Sequence, residues 1–288
     1  MKGLLVFIAG LLAAGAAHAD FEELARAHTL DWAQGALLLQ VREAVQPGSA
    51  LSPATRYMAE RRIDEALPYL CIEALQDVRV DSFDLLAGRL ESSGELYRTL
   101  SELAAAGAVK ESAAFSKDLH DVVVEYRVAF FGENGLITAF VQHERPFPMR
   151  RILGFTPSRT FTGLVILAQG EFTSHGKGSS ERVQPALLPR LWDEDMNPVL
   201  SPEMCKPEFL KKWGLAAYDY SAEAATLKAY EERVGLLPLL TMARGVFGRN
   251  ATDILLSAEA ARQLLSREQN RELLQEGRIL IILDRPGG

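Results

Sequence analysis

Two stretches of the chain are apolar without alternation: FTGLVILA, Phe161 to Ala168, and ILIIL, Ile279 to Leu283. Successive side chains of an extended chain point to opposite sides, so a strand apolar at every position has to be covered on both faces. Two such strands in one region demand a layered arrangement, with helices lying over a sheet. The residues between them supply those helices. PEFLKKWGLA, SAEAATLKAYEERV and AEAARQLL with REQNRELLQ read as helical, and TDILLS as a further strand. Ser257 is placed to cap the helix after TDILLS, and Gly277 to stop the one before RILIILD. The stretch from Leu236 to Gly248 is mixed and shows no single period.

The first half carries different signals. In HDVVVEYRVAFF the residues Val122, Val124, Tyr126, Val128 and Phe130 share one face, which predicts a strand covered on one side. Gly132-Glu133-Asn134-Gly135 follows and then LITAFVQHE, so the spacing predicts an antiparallel hairpin across an Asn-Gly turn. Upstream, Phe21 to Ala27 reads as a short helix, and Thr29 to Trp32 and Ala36 to Val41 as two short strands about a turn at Ala33-Gln34-Gly35. Ser52-Pro53 opens a longer helix with one apolar stripe, which Pro68 is expected to kink or split. A second helix is expected from Gly94 to Ala106. Residues 143–160 hold three prolines and lack periodicity, and Phe147, Ile152, Leu153 and Phe155 are too apolar for free solvent, so an ordered connection is predicted. These signals together predict an α+β protein of mixed, largely antiparallel sheets packed against helices. Two subdomains follow: an N-terminal α+β domain over 20–142 and a C-terminal α/β domain over 161–288.

The first nineteen residues, MKGLLVFIAGLLAAGAAHA, have one charge at Lys2, an apolar run and an A-x-A ending. That is the pattern of a secretory signal peptide cleaved between Ala19 and Asp20. The apolar run is shorter than the roughly 20 residues a membrane-spanning helix needs, and no cysteine at the cut suggests a lipid anchor. An exported protein of the periplasm or outer envelope is expected, with no transmembrane segment once the leader is removed. The formal net charge is -7, and Lys2 is the only charge in the leader, so cleavage makes it -8. Nucleic acid is excluded as a partner class, because phosphate binding needs a basic footprint. Export also permits a bridge between the two cysteines, Cys71 and Cys205, although Cys71 sits in the apolar run LPYLCIEAL, where a buried thiol serves equally well.

Catalytic templates fit poorly. GEFTSHGKGSS has five residues between Gly170 and Gly176, and Gly178 stands where the Walker pattern wants Ser or Thr. No G-x-S-x-G elbow is present. His120-Asp121 and His143-Glu144 would come together as a metal site only if the predicted hairpin paired their ends. In PRLWDEDMNPVL, Asp193, Asp195 and Asn197 match the first three calcium-loop ligands, but Pro198 replaces the essential glycine and Met204 the final glutamate. The segment reads instead as a strand, a polar turn from Asp193 to Asn197 and a short return strand near Val199. No catalytic residue, cofactor or metal set is assigned. The polar group open to a hydrolase reading is His143, Glu144, Asp193 and Asp195.

The order of DWAQG, SPATRYMAERRIDEAL, VVVEYRVAFFGENGLI, TGLVILAQG, PALLPRLWDED, DILLSAEAARQLL and RILIILD resembles secreted bacterial proteins of the lipoprotein-twenty family and the N-terminal domain of flagellar assembly protein T. That resemblance implies a helix packed on a small sheet, no catalytic residues and an envelope or flagellar protein as partner. The expected function is a non-catalytic, exported envelope protein acting through protein-protein binding, with envelope or flagellar assembly as the setting the resemblance implies. An exported hydrolase and a periplasmic small-ligand binder are the alternatives.

Overall fold

The structure is a computed structural model that describes residues 24–45, 51–153 and 156–285. The leader, with Ala19 and Asp20, lies outside the described residues. Strands β1 (Ala25–Asp31), β2 (Ala36–Ala44), β3 (Ala108–Phe115) and β4 (Asp121–Ala129) form one antiparallel sheet in the order β1-β2-β4-β3. The alternation in β4 does what the sequence predicts: Val122, Val124, Tyr126 and Val128 are buried, and Leu37, Leu39 and Val41 of β2 join them. Helix α1 (Pro53–Ala74) lies over this face through Ile63, Ala66, Leu67 and Leu70, and is capped by Ser52, whose hydroxyl accepts from the Thr55 N-H at 3.1 Å. Helices α2 (Leu86–Ser92) and α3 (Gly94–Gly107) follow, and α3 packs on α1 with Leu100 and Ala104 inward.

Two sequence expectations fail in this half, and one narrows: of the kink or split expected at Pro68, the split does not occur, because α1 continues through it. Proline there leaves the carbonyl of Asp64 without its helical donor, but Asp64 is on the exposed side of the helix, where water can take that place. Residues Ala25 to Ala27 are strand and not helix. The predicted hairpin of β4 with LITAFVQHE does not form: β4 pairs with β2 and β3, and Leu136–Phe140 is a 3-10 turn that buries Leu136 and Ile137. The true hairpin partner, AVKESAAF, is an edge strand.

Residues 143–160 contain no helix or strand among the described residues, as expected of a connection. Ile152 packs against the core as expected, whereas Phe147 and Leu153 are exposed, Leu153 at 91%; Phe155 lies outside the described residues.

The second half holds a four-stranded parallel sheet of β5 (Leu164–Leu167), β10 (Ala217–Asp219), β11 (Leu239–Met242) and β14 (Ile279–Ile282), in the order β10-β14-β5-β11. A mixed sheet runs β12-β13-β8-β9, from β8 (Leu191–Asp193), β9 (Pro198–Leu200), β12 (Gly245–Phe247) and β13 (Asp253–Leu256). Strands β6 (Phe172–Thr173) and β7 (Ser180–Glu181) form a small separate ladder. The apolar runs behave as predicted: β14 is buried at every position, and β5 at all but Leu167. Helix α4 (Pro207–Trp213), the short helices α5 (Ala224–Ala229) and α6 (Glu231–Val234), and helices α7 (Ala258–Ser266) and α8 (Glu268–Gln275) supply the layers. Ser257 caps α7 by accepting from the Ala260 N-H, and Gly277 follows α8 at φ 61°. The fold is thus α+β, antiparallel in its N-terminal half and parallel to mixed in its C-terminal half.

One contiguous cluster of buried residues spans both halves. At the seam, Trp32 from the β1–β2 turn lies between Phe130, at 5.2 Å between ring centroids, and Tyr218 of β10, at 5.7 Å.

Candidate functional site

The acidic segment that looks most like chemistry is a hairpin tip, with β8 and β9 antiparallel across it. Asp193, only 5% exposed, holds the turn together. One carboxylate oxygen accepts from the backbone N-H of Asp195 and of Asn197, at 3.1 and 2.8 Å, and the other accepts from Arg150 Nη2 at 2.6 Å. Met196 takes the positive φ of 58° that closes the turn. Burial alone would raise the Asp193 pKa, but the hydrogen bonds from Arg150 and Asn197 outweigh it and hold the carboxyl below the usual aspartate range. Asp195 is exposed. The neighbouring Glu194 is turned elsewhere, accepting from the Ala258 N-H at the start of α7.

The other candidates do not join this turn. His143 Nε2 lies 2.8 Å from the carbonyl of Cys205, and His143 and Glu144 line a separate cavity of about 660 Å3 with Glu203. His120 sits at the β3–β4 turn, where Asp121 is opposite Ala44 of β2, so the imagined pairing of His120-Asp121 with His143-Glu144 has no hairpin to create it. Among the described residues no three His, Cys, Asp or Glu side chains are grouped as a metal site. Lys177 of the glycine-rich loop is paired with Glu181 at 3.0 Å. Both thiols are free and buried, Cys71 in α1 and Cys205 before α4, and burial pushes each up to about 12.

Two buried charges have structural explanations. Asp253, fully buried in β13, accepts from the Arg190 N-H and from Trp192 Nε1 at 3.0 and 2.9 Å, while burial raises its pKa. Arg233 donates to three carbonyls, of Trp213, Gly214 and Gly277, at 2.7 to 2.9 Å. Those carbonyls lie at or just past the C-terminal ends of α4 and α8, where partial negative charge collects. Burial still lowers the guanidinium to about 9.

The feature without an internal explanation is the rim of the parallel sheet. Strand β11 is its last strand, paired in register with β5 from Leu239 opposite Leu164 to Met242 opposite Leu167. The N-H of Leu239 and of Ala243 donate to Gly163 and Leu167, both at 2.9 Å. Alternate residues of such a ladder bond to one side, so the backbone groups of Leu240 and Met242 face outward, where no strand pairs among the described residues. The side chains there are apolar and uncovered: Leu236 is 75% exposed, Leu237 63%, Leu240 54% and Met242 63%. Leu240 shares a face with Val165, and that face is covered over β14 and β5 by Leu227 of α5, Val234 of α6 and Tyr230 between the two helices. The cover stops before β11. Leucine-rich sequence ordinarily signals burial, so within Leu236 to Met242 the one mark of an edge is Pro238, since proline in sheets is confined to edges, strand starts and bulges.

Among the described residues no helix is long and apolar enough to cross a membrane. Comparison with known proteins corrects the family reading. Residues 24–132 match the family model of the Treponema pallidum Tp0624 N-terminal domain, and residues 163–285 match that of the Tp0624 second domain. The resemblance to the lipoprotein-twenty family and to flagellar assembly protein T is thereby overturned. It rested on phrases such as TGLVILAQG and RILIILD, which describe covered strands of any parallel sheet. No curated protein matches the chain. The chain thus joins, in the same order, a domain similar to the N-terminal domain of Treponema pallidum Tp0624 and a domain similar to its second domain.

Proposed function

We propose that this chain is an exported, non-catalytic protein of the cell envelope that works by binding another protein, and that the partner adds an extended strand to β11. The observation that carries the reading is the uncovered edge from Leu236 to Met242, which offers outward backbone donors and acceptors together with four exposed apolar side chains. Natural proteins normally protect such edges with charge, proline or a covering element; here Pro238 stands just ahead of β11, and the outward backbone groups of Leu240 and Met242 lie beyond it. An exposed apolar strand edge is also the surface that strand addition uses: main-chain bonds give affinity and alternate side chains give selectivity. The signal-like leader supports export to the periplasm or outer envelope. Flagellar assembly falls with the resemblance that suggested it.

The test is a photo-crosslinking residue at Met242 in the full chain, expressed in its native envelope. One discrete adduct is expected, and Leu240→Lys should abolish it while leaving the melting temperature within a few degrees. An adduct pattern that survives Leu240→Lys, or none at all, refutes the reading.

A further inference from the structure

A second surface is assembled where the two halves meet, and it differs from the β11 edge in chemistry. The carboxyl ends of β10 and β14 open onto a cleft of about 400 Å3, lined on one side by Tyr220 and Leu283 to Arg285 and on the other by Leu30, Trp32 and Arg79 of the N-terminal half. Ligands of open parallel sheets bind outside the carboxyl ends of the strands, and pockets of this volume hold small molecules. Three guanidinium groups line the cleft, those of Arg79, Arg182 and Arg285, against one lining carboxylate, Asp284. Asp284 is already engaged: it accepts from the Gly170 N-H at 2.9 Å and lies 4.0 Å from Arg182 Nε. Asp77 acts on Arg79 at longer range, and Asp31 and Asp219 act on Tyr220.

Two groups in this cleft are left as donors. Arg79 is half-buried and forms no ion pair or side-chain hydrogen bond among the described residues, although its backbone is fixed by the Leu187 N-H bonding to its carbonyl at 3.0 Å. Trp32 is only 7% exposed, yet its indole N-H donates to no described residue. The other two tryptophans both donate, Trp192 to Asp253 at 2.9 Å and Trp213 to the Glu276 carbonyl at 2.7 Å. Indole and guanidinium nitrogens are donors only, so a ligand that satisfies both has to bring acceptor oxygens, and one facing several arginines has to bring negative charge. Leu30, Val183 and Leu283 give the same cleft apolar walls.

We propose that this cleft is a binding site for a small organic anion, a carboxylate or phosphate ester with an apolar body, held by Arg79 and the Trp32 indole N-H with Arg182 and Arg285 around its head group. The site draws residues from both halves, so an occupant would clamp them together. The proposal is independent of strand addition at β11.

The experiment uses the full chain at low salt and titrates inorganic phosphate, phenyl phosphate and phenylacetate, following tryptophan fluorescence and melting temperature. At least one aryl anion should bind saturably, more tightly than inorganic phosphate, and raise the melting temperature, because ligand that binds only the folded state stabilises it. Arg79→Gln should weaken that binding at least tenfold. Arg285→Gln, at an exposed position beyond β14, should weaken it several-fold without affecting folding. Trp32→Phe should remove most of the fluorescence response while the thermal shift shrinks but persists. Arg151→Gln, outside the cleft, should change nothing. No saturable response to any of the three probes, or unaltered affinity in both Arg79→Gln and Arg285→Gln, overturns the proposal. Tighter binding of inorganic phosphate than of either aryl anion overturns the apolar-body part of it.

Discussion

Replacing Asp193 by alanine should cost about 3 kcal/mol of folding stability, and replacing it by asparagine about 1. The larger figure has three parts. Two backbone N-H groups, of Asp195 and Asn197, lose a charged acceptor at 3.1 and 2.8 Å. In an exposed turn water recovers part of each loss, leaving about 1 kcal/mol apiece. The third part is the contact with Arg150 at 2.6 Å, between side chains 33% and 7% exposed, which contributes about another 1 kcal/mol. Asparagine keeps an oxygen for the two turn N-H groups but turns an NH2 donor toward the donors of Arg150 and Asn197. It therefore gives up both the charge and the acceptor facing Arg150, whose partly exposed guanidinium can turn to water. The assay is urea denaturation of both variants beside the parent, with slopes checked so that midpoints convert to free energy. The pH dependence follows from the depressed carboxyl. The Asp193 pKa is held below its ordinary 3.8 in the folded state, so its stabilising contribution is complete above the unfolded pKa and is lost as pH falls through the folded one. The gap between parent and Asp193→Asn should therefore close in acid. An alanine variant within about 0.5 kcal/mol of the parent, or an asparagine variant as damaged as alanine, would falsify the view that this carboxylate is a turn clamp.

Other outcomes test the rest of the structure. Arg233→Met should destabilise by about 3 kcal/mol or more, since three carbonyls that now accept from one guanidinium lose their donor; denaturant midpoints measure it. Gly248→Ala should lower stability by about 2 kcal/mol or more, because Gly248 sits at φ 94° and an added Cβ would fall 2.3 Å from Ser82 Cβ; thermal melting decides. Cys71 and Cys205, both buried and raised to about 12, should resist a thiol reagent at pH 8 in the native protein and release two equivalents per chain in denaturant; fewer in denaturant would indicate a bridge.

Where one face of a strand meets the core and the other meets solvent, the sequence is explicit, and Val122 to Val128 show it. Where a strand is covered on both faces it is also legible, as in Ile279 to Ile282. Edge strands are the hard case. Residues Ala108 to Phe115 contain alanine, serine, lysine and glutamate, most of them exposed, so neither composition nor period separates them from a helix. The Asn-Gly signal at Gly132–Gly135 points to the wrong hairpin because Leu136 and Ile137 are as apolar as a strand, although they are buried by a 3-10 turn. The Asp193 turn was readable because aspartate and asparagine bond their own backbone over a few residues. The arginine cleft was not, since Trp32, Arg79, Arg182 and Arg285 are gathered from the length of the chain by folding alone. Nor was the β11 edge, since Pro238 fits a strand start as well as an edge, and hydrophobicity reports what would prefer to be buried and not whether a neighbour exists to bury it.

The position of Trp32 bears on how such a protein can be inherited. Its indole belongs to the segment matched by one family model, while Tyr218, one of the two rings beside it, belongs to the segment matched by the other. Recombination that separated the two segments at residues 133–162 would strand a large aromatic side chain on one product and uncover its seat on the other. Domains joined by a flexible tether can be traded singly between genes. For this pair, which shares an interior, separation would cost both products part of their core, so joint transmission is the outcome the packing favours.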